Sequence, residues 1–309
     1  MRELRWAALG VVVAVAAFCA VPAVSATFPA GCSASAKSVF KSCKEGVRAD
    51  YWLAIGKCQN LANQGDRRRC TQDAIEAQVE AGEECGDQYE ARLNVCRDLG
   101  EAPYEPRIRP TDFVSVIDNP FLPFVPGTTW IYEGETEDGM ERVVVEATRD
   151  TREILGVPCT VVRDRVYLDG ALVEDTLDYF AQDSQGNVWY FGELSYELED
   201  GVIVNLEGSW EAGLDGAHPG IVMPANPAVG DLYRQEFLLG EAEDIGEIVS
   251  LDEAVTVPFG SFTGCRQTSD TLPISPDELE YKYYASGVGL LLEVNPEDGS
   301  RIELISMTR

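Results

Sequence analysis

Six cysteines between residues 32 and 96 constrain this chain more than any other feature. They stand at 32, 43, 58, 70, 85 and 96, with spacings of 11, 15, 12, 15 and 11, a palindrome centred on residue 64. An antiparallel helical hairpin turning near that centre brings residues equidistant from the turn opposite one another. The segment 32–99 can supply the helices, because it has no proline and is rich in Ala, Glu, Gln, Lys and Arg, all good helix formers. The turn is expected at Asn63-Gln64-Gly65-Asp66, with Gly65 as the breaker and Asp66 available as N-cap of the second helix.

Helical phase tests the idea independently. At about 100° per residue, a step of 11 advances roughly 20° and a step of 15 roughly 60°, so the cysteines of each arm share one narrow stripe. Ala36, Phe40, Val47, Ala54 and Leu61 lie along it on the first arm, and Ala74, Ala81, Tyr89 and Leu99 on the second. The alanines let the helices approach to disulfide distance. The expected ladder is Cys32–Cys96, Cys43–Cys85 and Cys58–Cys70. Its outer four cysteines resemble, in pairing logic, the coiled-coil-helix-coiled-coil-helix proteins with twin C-x9-C motifs. Zinc is a poor alternative, since no C-x2-4-C pair occurs.

The compartment follows from the other end of the chain. MRELRWAALGVVVAVAAFCAVPAVSA has basic Arg2 and Arg5, an apolar run and small residues ending at Ala26, the pattern of a secretory signal covering 1–26. Phe18 precedes Cys19 where a lipobox wants a small residue, so cleavage is expected after Ala26. Losing Cys19 leaves eight of nine cysteines, an even count suited to a secreted or periplasmic protein. No other run has the length of a membrane helix.

Residues 27–102 thus form a Cys-rich helical module, and Pro103, Pro106 and Pro110 mark a linker over 103–118. From 119 to 309 the pattern changes to short alternating runs, among them TTWIYEGE, ERVVVEAT, CTVVRDRVYLDG, VWYFGE, GVIVNLEG, EYKYYASG and GLLLEV, separated by Gly-containing turns. These are β-strands. The fold class is α+β multidomain: a disulfide-laddered antiparallel helical hairpin, then an all-antiparallel β domain folded as a sandwich, curved sheet or barrel.

The β region also resembles itself. NPFLPFVPGTTWIYEGE at 119–135 answers NPAVGDLYRQEFLLGE at 226–241. TREILGVPCTVVRD at 151–164 answers VTVPFGSFTGCRQTSD at 255–270, and LDYFAQDSQGNVWYF at 177–191 answers YKYYASGVGLLLE at 281–293. Order and offset both hold, which predicts two tandem meander repeats, about 119–206 and 226–305, joined by a connecting loop at 207–225. Cys159 and Cys265 occupy equivalent positions in the two copies. As the leftover pair in an oxidising compartment they are expected to bridge, Cys159–Cys265.

The VPGTTWIYEG lead-in, the Gly-x-x-Cys strand and the closing YYASGVGLLLE resemble a family of uncharacterised secreted bacterial β-proteins with a terminal YYAxGVGL signature. The resemblance covers 119–305. It implies an antiparallel β fold and an extracytoplasmic site, and it transfers no catalytic residue.

Chemistry is sparse. The chain has one histidine, His218, and no G-x-S-x-G, H-E-x-x-H, P-loop or dinucleotide fingerprint. Its formal net charge of −29 repels nucleic acid. Glu241, Glu243, Asp244 and Glu247 form the densest acidic cluster and are a calcium candidate without EF-hand spacing. Asp183-Ser184-Gln185-Gly186-Asn187 looks superficially like a calcium loop, but a hairpin turn explains it. Trp210, His218 and Met223, in the connection between the repeats, form a candidate binding loop. Arg67, Arg68 and Arg69 form a basic tip suited to a protein partner. The leading expectation is a non-enzymatic secreted binding or structural protein that needs no cofactor. The alternatives are a carboxylate-dependent hydrolase and a carrier of an apolar ligand.

Overall fold

The computed structural model describes residues 30–309; the expected signal segment, 1–26, lies outside the described residues. Two helices come first, α1 (Cys32–Gln59) and α2 (Gln64–Leu99). Three disulfides staple them, Cys32–Cys96, Cys43–Cys85 and Cys58–Cys70, with Cα–Cα separations of 5.4, 5.9 and 5.5 Å. Ala36 and Ala74 are buried at the seam, and Phe40 stacks on Tyr89 with ring centroids 4.8 Å apart.

Two details of the hairpin differ from expectation. The N-cap of α2 is Asn63, whose side chain accepts from the backbone N–H groups of Gly65 and Asp66, so Gly65 and Asp66 both stand inside the first turn and the break falls earlier, between Gln59 and Gln64. Leu61 and Leu99 are exposed, because α1 stops at Gln59 and Leu99 ends α2, outside the seam on both sides.

A short strand, β1 (Phe113–Val114), precedes the β domain. A first meander follows: β2 (Thr129–Thr136), β3 (Gly139–Ile154), β4 (Val157–Leu168), β5 (Ala171–Asp183) and β6 (Val188–Glu199). Then β7 (Val202–Asn205), β8 (Trp210–Glu211) and β9 (His218–Met223) all lie against β6. Two short strands, β10 (Leu232–Arg234) and β11 (Glu236–Phe237), lead into a second meander. It comprises β12 (Ile245–Val257), β13 (Gly260–Leu272), β14 (Ser275–Ala285), β15 (Gly289–Val294) and β16 (Arg301–Thr308).

Every pairing is antiparallel, and the strand order nearly closes on itself. β16 pairs with β2, joining the two meanders at one seam. At the other seam β10 pairs with β12 and β11 pairs with β9. Only Gln235 separates β10 from β11, so one stretch of chain spans both ends of the sheet. A nearly closed barrel results, and its long strands keep few free edges.

The inner face of this wall is covered, and along β4 to β6 the outer face is covered as well. Residues of one parity, such as Trp130, Tyr132, Val162, Phe180 and Tyr284, belong to one buried cluster. The opposite parity of β4 to β6, including Val157, Cys159, Val161, Tyr179, Ala181 and Phe191, packs in a second cluster under Ile108, Phe113 and Trp210. Alternation along a strand separates the two.

The predicted linker is therefore no free spacer. Phe113 and Val114 pair with β5, Ile117 is buried, and the Tyr104 hydroxyl donates to the Pro219 carbonyl at 2.9 Å. The hairpin also docks on the barrel through Arg92 of α2. That guanidinium donates to both oxygens of Glu243, at 2.8–3.0 Å, and the two side chains are only 5% and 3% exposed. Gln88 adds a bond to the Ile274 carbonyl.

The expected Cys159–Cys265 bridge is not formed, and both thiols are free and buried. Cys159 lies on β4 and Cys265 on β13, with five strands between them along the sheet. Equivalent positions in the two meanders fall on opposite sides of a ring, not at a shared axis.

Candidate functional site

The barrel encloses a cavity of about 370 Å³. Alternation builds it: Trp130 and Tyr132 of β2, Val162 and Asp164 of β4, Asp178 and Phe180 of β5, and Lys282 and Tyr284 of β14 are pairs spaced by two, so each pair faces inward. Tyr190 and Glu193 of β6 are three apart and still both line it. A bulge makes this possible, since Asp178 pairs with Glu193 and Phe180 with Tyr190, leaving one extra residue in β6.

Gly192 sits in that bulge with φ of 140°, and a Cβ there would stand 2.4 Å from the Trp210 carbonyl oxygen. Only glycine allows β8 to approach so closely. β15 repeats the arrangement: Lys282 pairs with Glu293, and beyond a one-residue shift Tyr284 pairs with Leu290.

One wall of the cavity is aromatic. Phe180 stacks on Tyr190 at 4.6 Å, Phe124 lies 4.8 Å from Phe180, and Trp130 meets Phe124 edge-on at 5.9 Å. Trp130 is oriented by its indole N–H, which donates to the Val288 carbonyl at 2.7 Å.

The remainder of the lining holds seven carboxyl side chains and one lysine: Asp164, Asp178, Glu193, Glu236, Asp244, Asp270, Glu293 and Lys282. Seven full negative charges cannot be held in so confined a space. Burial first, then repulsion from Glu174, pushes Asp164 up to about 7. Burial and neighbouring Asp164 push Asp178 up to about 8, and burial and Asp178 push Glu193 up to about 8. Burial raises Glu293 to about 7 and Asp244 to about 6, and burial next to Asp244 raises Glu236 well above the carboxylate range.

Tyr190 shows where one proton resides. Its hydroxyl lies 2.6 Å from Asp178 Oδ1 and 2.8 Å from Glu193 Oε2, and burial holds it well above the ordinary tyrosine range, so it stays protonated. A hydroxyl donates one hydrogen only. One of the two carboxyls must therefore be protonated and donate to the phenol oxygen.

Lys282 organises the opposite side. Its ammonium lies 3.1 Å from Asp270, 3.1 Å from Glu280 and 4.0 Å from Glu293. Burial alone would lower it, yet Glu293, Asp270 and Glu280 hold it well above the usual lysine value.

The residues singled out in the sequence lie mostly elsewhere. The connection 207–225 is not a loop, because β8 and β9 form within it and join the wall. Trp210 is buried against Tyr190 from the outer cluster, Met223 is buried beside Arg266, and His218 sits between Tyr104 and Phe237. At the tip, Arg67 bonds the Leu61 and Ala62 carbonyls in the turn between the helices, Arg69 pairs with Asp66, and Arg68 is exposed.

The calcium candidate is dispersed. Glu243 points to Arg92, Asp244 lines the barrel cavity, and Glu241 and Glu247 are in neither place. Among the described residues, no three His, Cys, Asp or Glu side chains converge as a metal-binding group. Asp183 spends its oxygens on the Gln185 and Asn187 backbone N–H groups and the Trp189 indole, closing its hairpin internally.

Of the seven cavity acids only Asp244 stood among the sequence candidates, because acidic residues are everywhere in this chain. A usable signal was present: Lys282 is the sole lysine after Lys57, and it stands in YKYY, an aromatic strand. A charge at the inward parity of such a strand marks a polar interior.

No protein-family model matches the chain, and no curated protein matches it. Among solved structures, it is similar to one described as a "putative lipoprotein" from Parabacteroides distasonis. That likeness has a TM-score of 0.34 and 13% identity, and covers 62% of this chain and 100% of the other. At that level residue roles do not transfer. Among the described residues no helix is long and apolar enough to cross a membrane.

Proposed function

We propose that this is an extracytoplasmic binding protein that takes a small organic molecule into the barrel. The observation that carries the reading is the cavity itself: it has an aromatic wall facing a group of buried carboxyls, within the size range of small-molecule sites. A protein with no use for its interior fills it with apolar side chains. The three disulfides and the resemblance of 119–305 to secreted bacterial proteins support the compartment. With seven carboxyls and a lysine in the lining, a cargo that is wholly apolar fits poorly, since it would leave polar groups without partners. The hairpin, docked at the Arg92 end of α2 and stapled along its length, serves as a rigid arm.

The test is thermal stabilisation of the mature chain by a library of small neutral, cationic and anionic compounds. A cavity-filling variant, Val162→Trp, is run alongside. Hits on the natural protein that vanish in the variant are expected. If no compound stabilises the protein, or the variant responds equally, the reading is wrong.

One observation favours a second reading. Asp178 and Glu193 share a proton through Tyr190, which places an acid and a base in one cavity, as a carboxylate-dependent hydrolase requires. Turnover of chromogenic glycosides or esters, lost in Asp178→Asn and Glu193→Gln, would select it.

A further inference from the structure

The two sides of the barrel carry the same framework with different charges. Around the β5–β6 bulge, Asp178 pairs with Glu193 and Phe180 with Tyr190; around the β14–β15 bulge, Lys282 pairs with Glu293 and Tyr284 with Leu290. On the preceding strands, Asp164 pairs with Thr176 and Asp270 with Glu280, two residues before Asp178 and Lys282 respectively. Asp178 thus occupies the position that Lys282 occupies on the other side.

The consequence is an imbalance of charge. Asp270, Glu280 and Glu293 have the Lys282 ammonium within 4.0 Å. Among the described residues, no ion pair reaches Asp164, Asp178 or Glu193. Asp178 and Glu193 share the Tyr190 hydroxyl, and burial, then repulsion from their acidic neighbours, holds both up at about 8.

Unused bonding capacity remains in the same cavity. Asp270 is 3% exposed, and its Oδ1, like Asp164 Oδ1, is shut off from water and has no hydrogen-bond partner. Buried carboxyl oxygens in native proteins are rarely left so.

We propose that the unneutralised side of the cavity is a site for an organic cation, a primary ammonium on an apolar or aromatic body, seated beside Asp178 and Glu193 as Lys282 is seated beside Asp270 and Glu293. This deepens the reading of the barrel interior as a ligand site and rests on it. The ammonium supplies three donors and displaces the proton shared by Asp178 and Glu193. The Phe180 and Tyr190 rings receive the body, and an aromatic face next to a cation adds attraction. A compact metal ion fits less well, since it needs several oxygens converging on one point, and no such group is present among the described residues.

The experiment is calorimetric titration of the mature chain with 2-phenylethylammonium, hexylammonium and 1,5-diaminopentane. Each is compared with its alcohol, and calcium chloride is run as a separate probe. The amines are expected to bind about tenfold or more tightly than the alcohols. Asp178→Asn and Glu193→Gln should erase that preference while alcohol binding persists, and Asp178→Lys, which supplies the missing cation internally, should abolish amine binding.

If the alcohols bind as well as the amines, or the Asn and Gln variants keep the preference, the cation assignment falls and the cavity reading stands. If no amine or alcohol binds, both fall. Calcium binding that depends on Asp178, without amine binding, would replace the organic cation by a metal.

Discussion

Replacing Glu243 by Gln should undock the helical hairpin from the barrel. Glu243 accepts three bonds from Arg92, at 2.8–3.0 Å, and one from the Gly240 backbone N–H at 2.7 Å. With the two side chains 5% and 3% exposed, solvent screens the pair little. Glutamine keeps the shape and removes the charge, so the guanidinium stays buried with no counter-charge. Arg234 lines the same small cavity between hairpin and barrel, and burial already lowers its own value. Breaking one partner of such a buried pair costs about 3–5 kcal/mol, which for a chain of this size is a fall in Tm on the order of 10 °C.

Differential scanning calorimetry measures that loss, and hydrogen exchange across residues 85–99 locates it. The hairpin should keep its helicity, because its three disulfides do not depend on docking. The double variant Arg92→Met/Glu243→Leu should recover most of the stability, since an apolar pair carries no desolvation penalty. A single variant within about 1 kcal/mol of the natural protein would refute the reasoning, as values that small belong to exposed pairs. So would a double variant no better than the single.

The raised carboxyls make stability depend on pH with a definite sign. Asp164, Asp178, Glu193 and Glu293 titrate at about 7, 8, 8 and 7 in the fold, against roughly 4 in the unfolded chain. The folded state therefore holds more protons between those values, and their contribution, full near pH 4, is lost as pH rises through 7–8. Urea midpoints should fall from pH 5 to pH 9, and Asp178→Asn should remove up to about 1.4 kcal/mol per pH unit of that slope; a flat or rising profile would contradict it. Gly192→Ala should cost roughly 2–3 kcal/mol, more than Gly216→Ala, whose Cβ meets nothing within 4 Å; equal losses in chemical denaturation would show that the Trp210 contact is unimportant. Burial pushes the Cys159 thiol up to about 12 and raises Cys265, so Ellman's reagent should find no reactive thiol in the native protein and two after unfolding without reductant. Native reactivity, or no thiol at all after unfolding, would overturn the free-cysteine assignment.

The legibility of the sequence differed sharply between its two regions. In the hairpin, six cysteine positions and the helical period sufficed to pair every rung, while the break expected at Gly65, the cap at Asn63 and the ends at Leu61 and Leu99 were misplaced. In the β domain, alternation located the long strands and the turns between them. Along β4 to β6 it did not say which parity faces inward, because both faces are covered there: Val161 packs in the outer cluster and Val162 lines the cavity.

The cavity acids were illegible for a related reason. A carboxylate at an inward position reads like any surface acid until the sheet closes around it, and the closure depends on residues 232–237 bridging both sheet ends. The same long-range geometry separates Cys159 from Cys265 and gives Glu243 to Arg92, 151 residues away.

The sequence by itself determined the ladder of disulfides, the two helices and the long strands after them, and the acidic character. All three rest on local periodicity or on composition. The near-closed barrel, its cavity, the shared proton at Tyr190 and the docking of the hairpin were decided only by tertiary structure. Each depends on burial, and burial depends on which distant segments come to enclose a side chain.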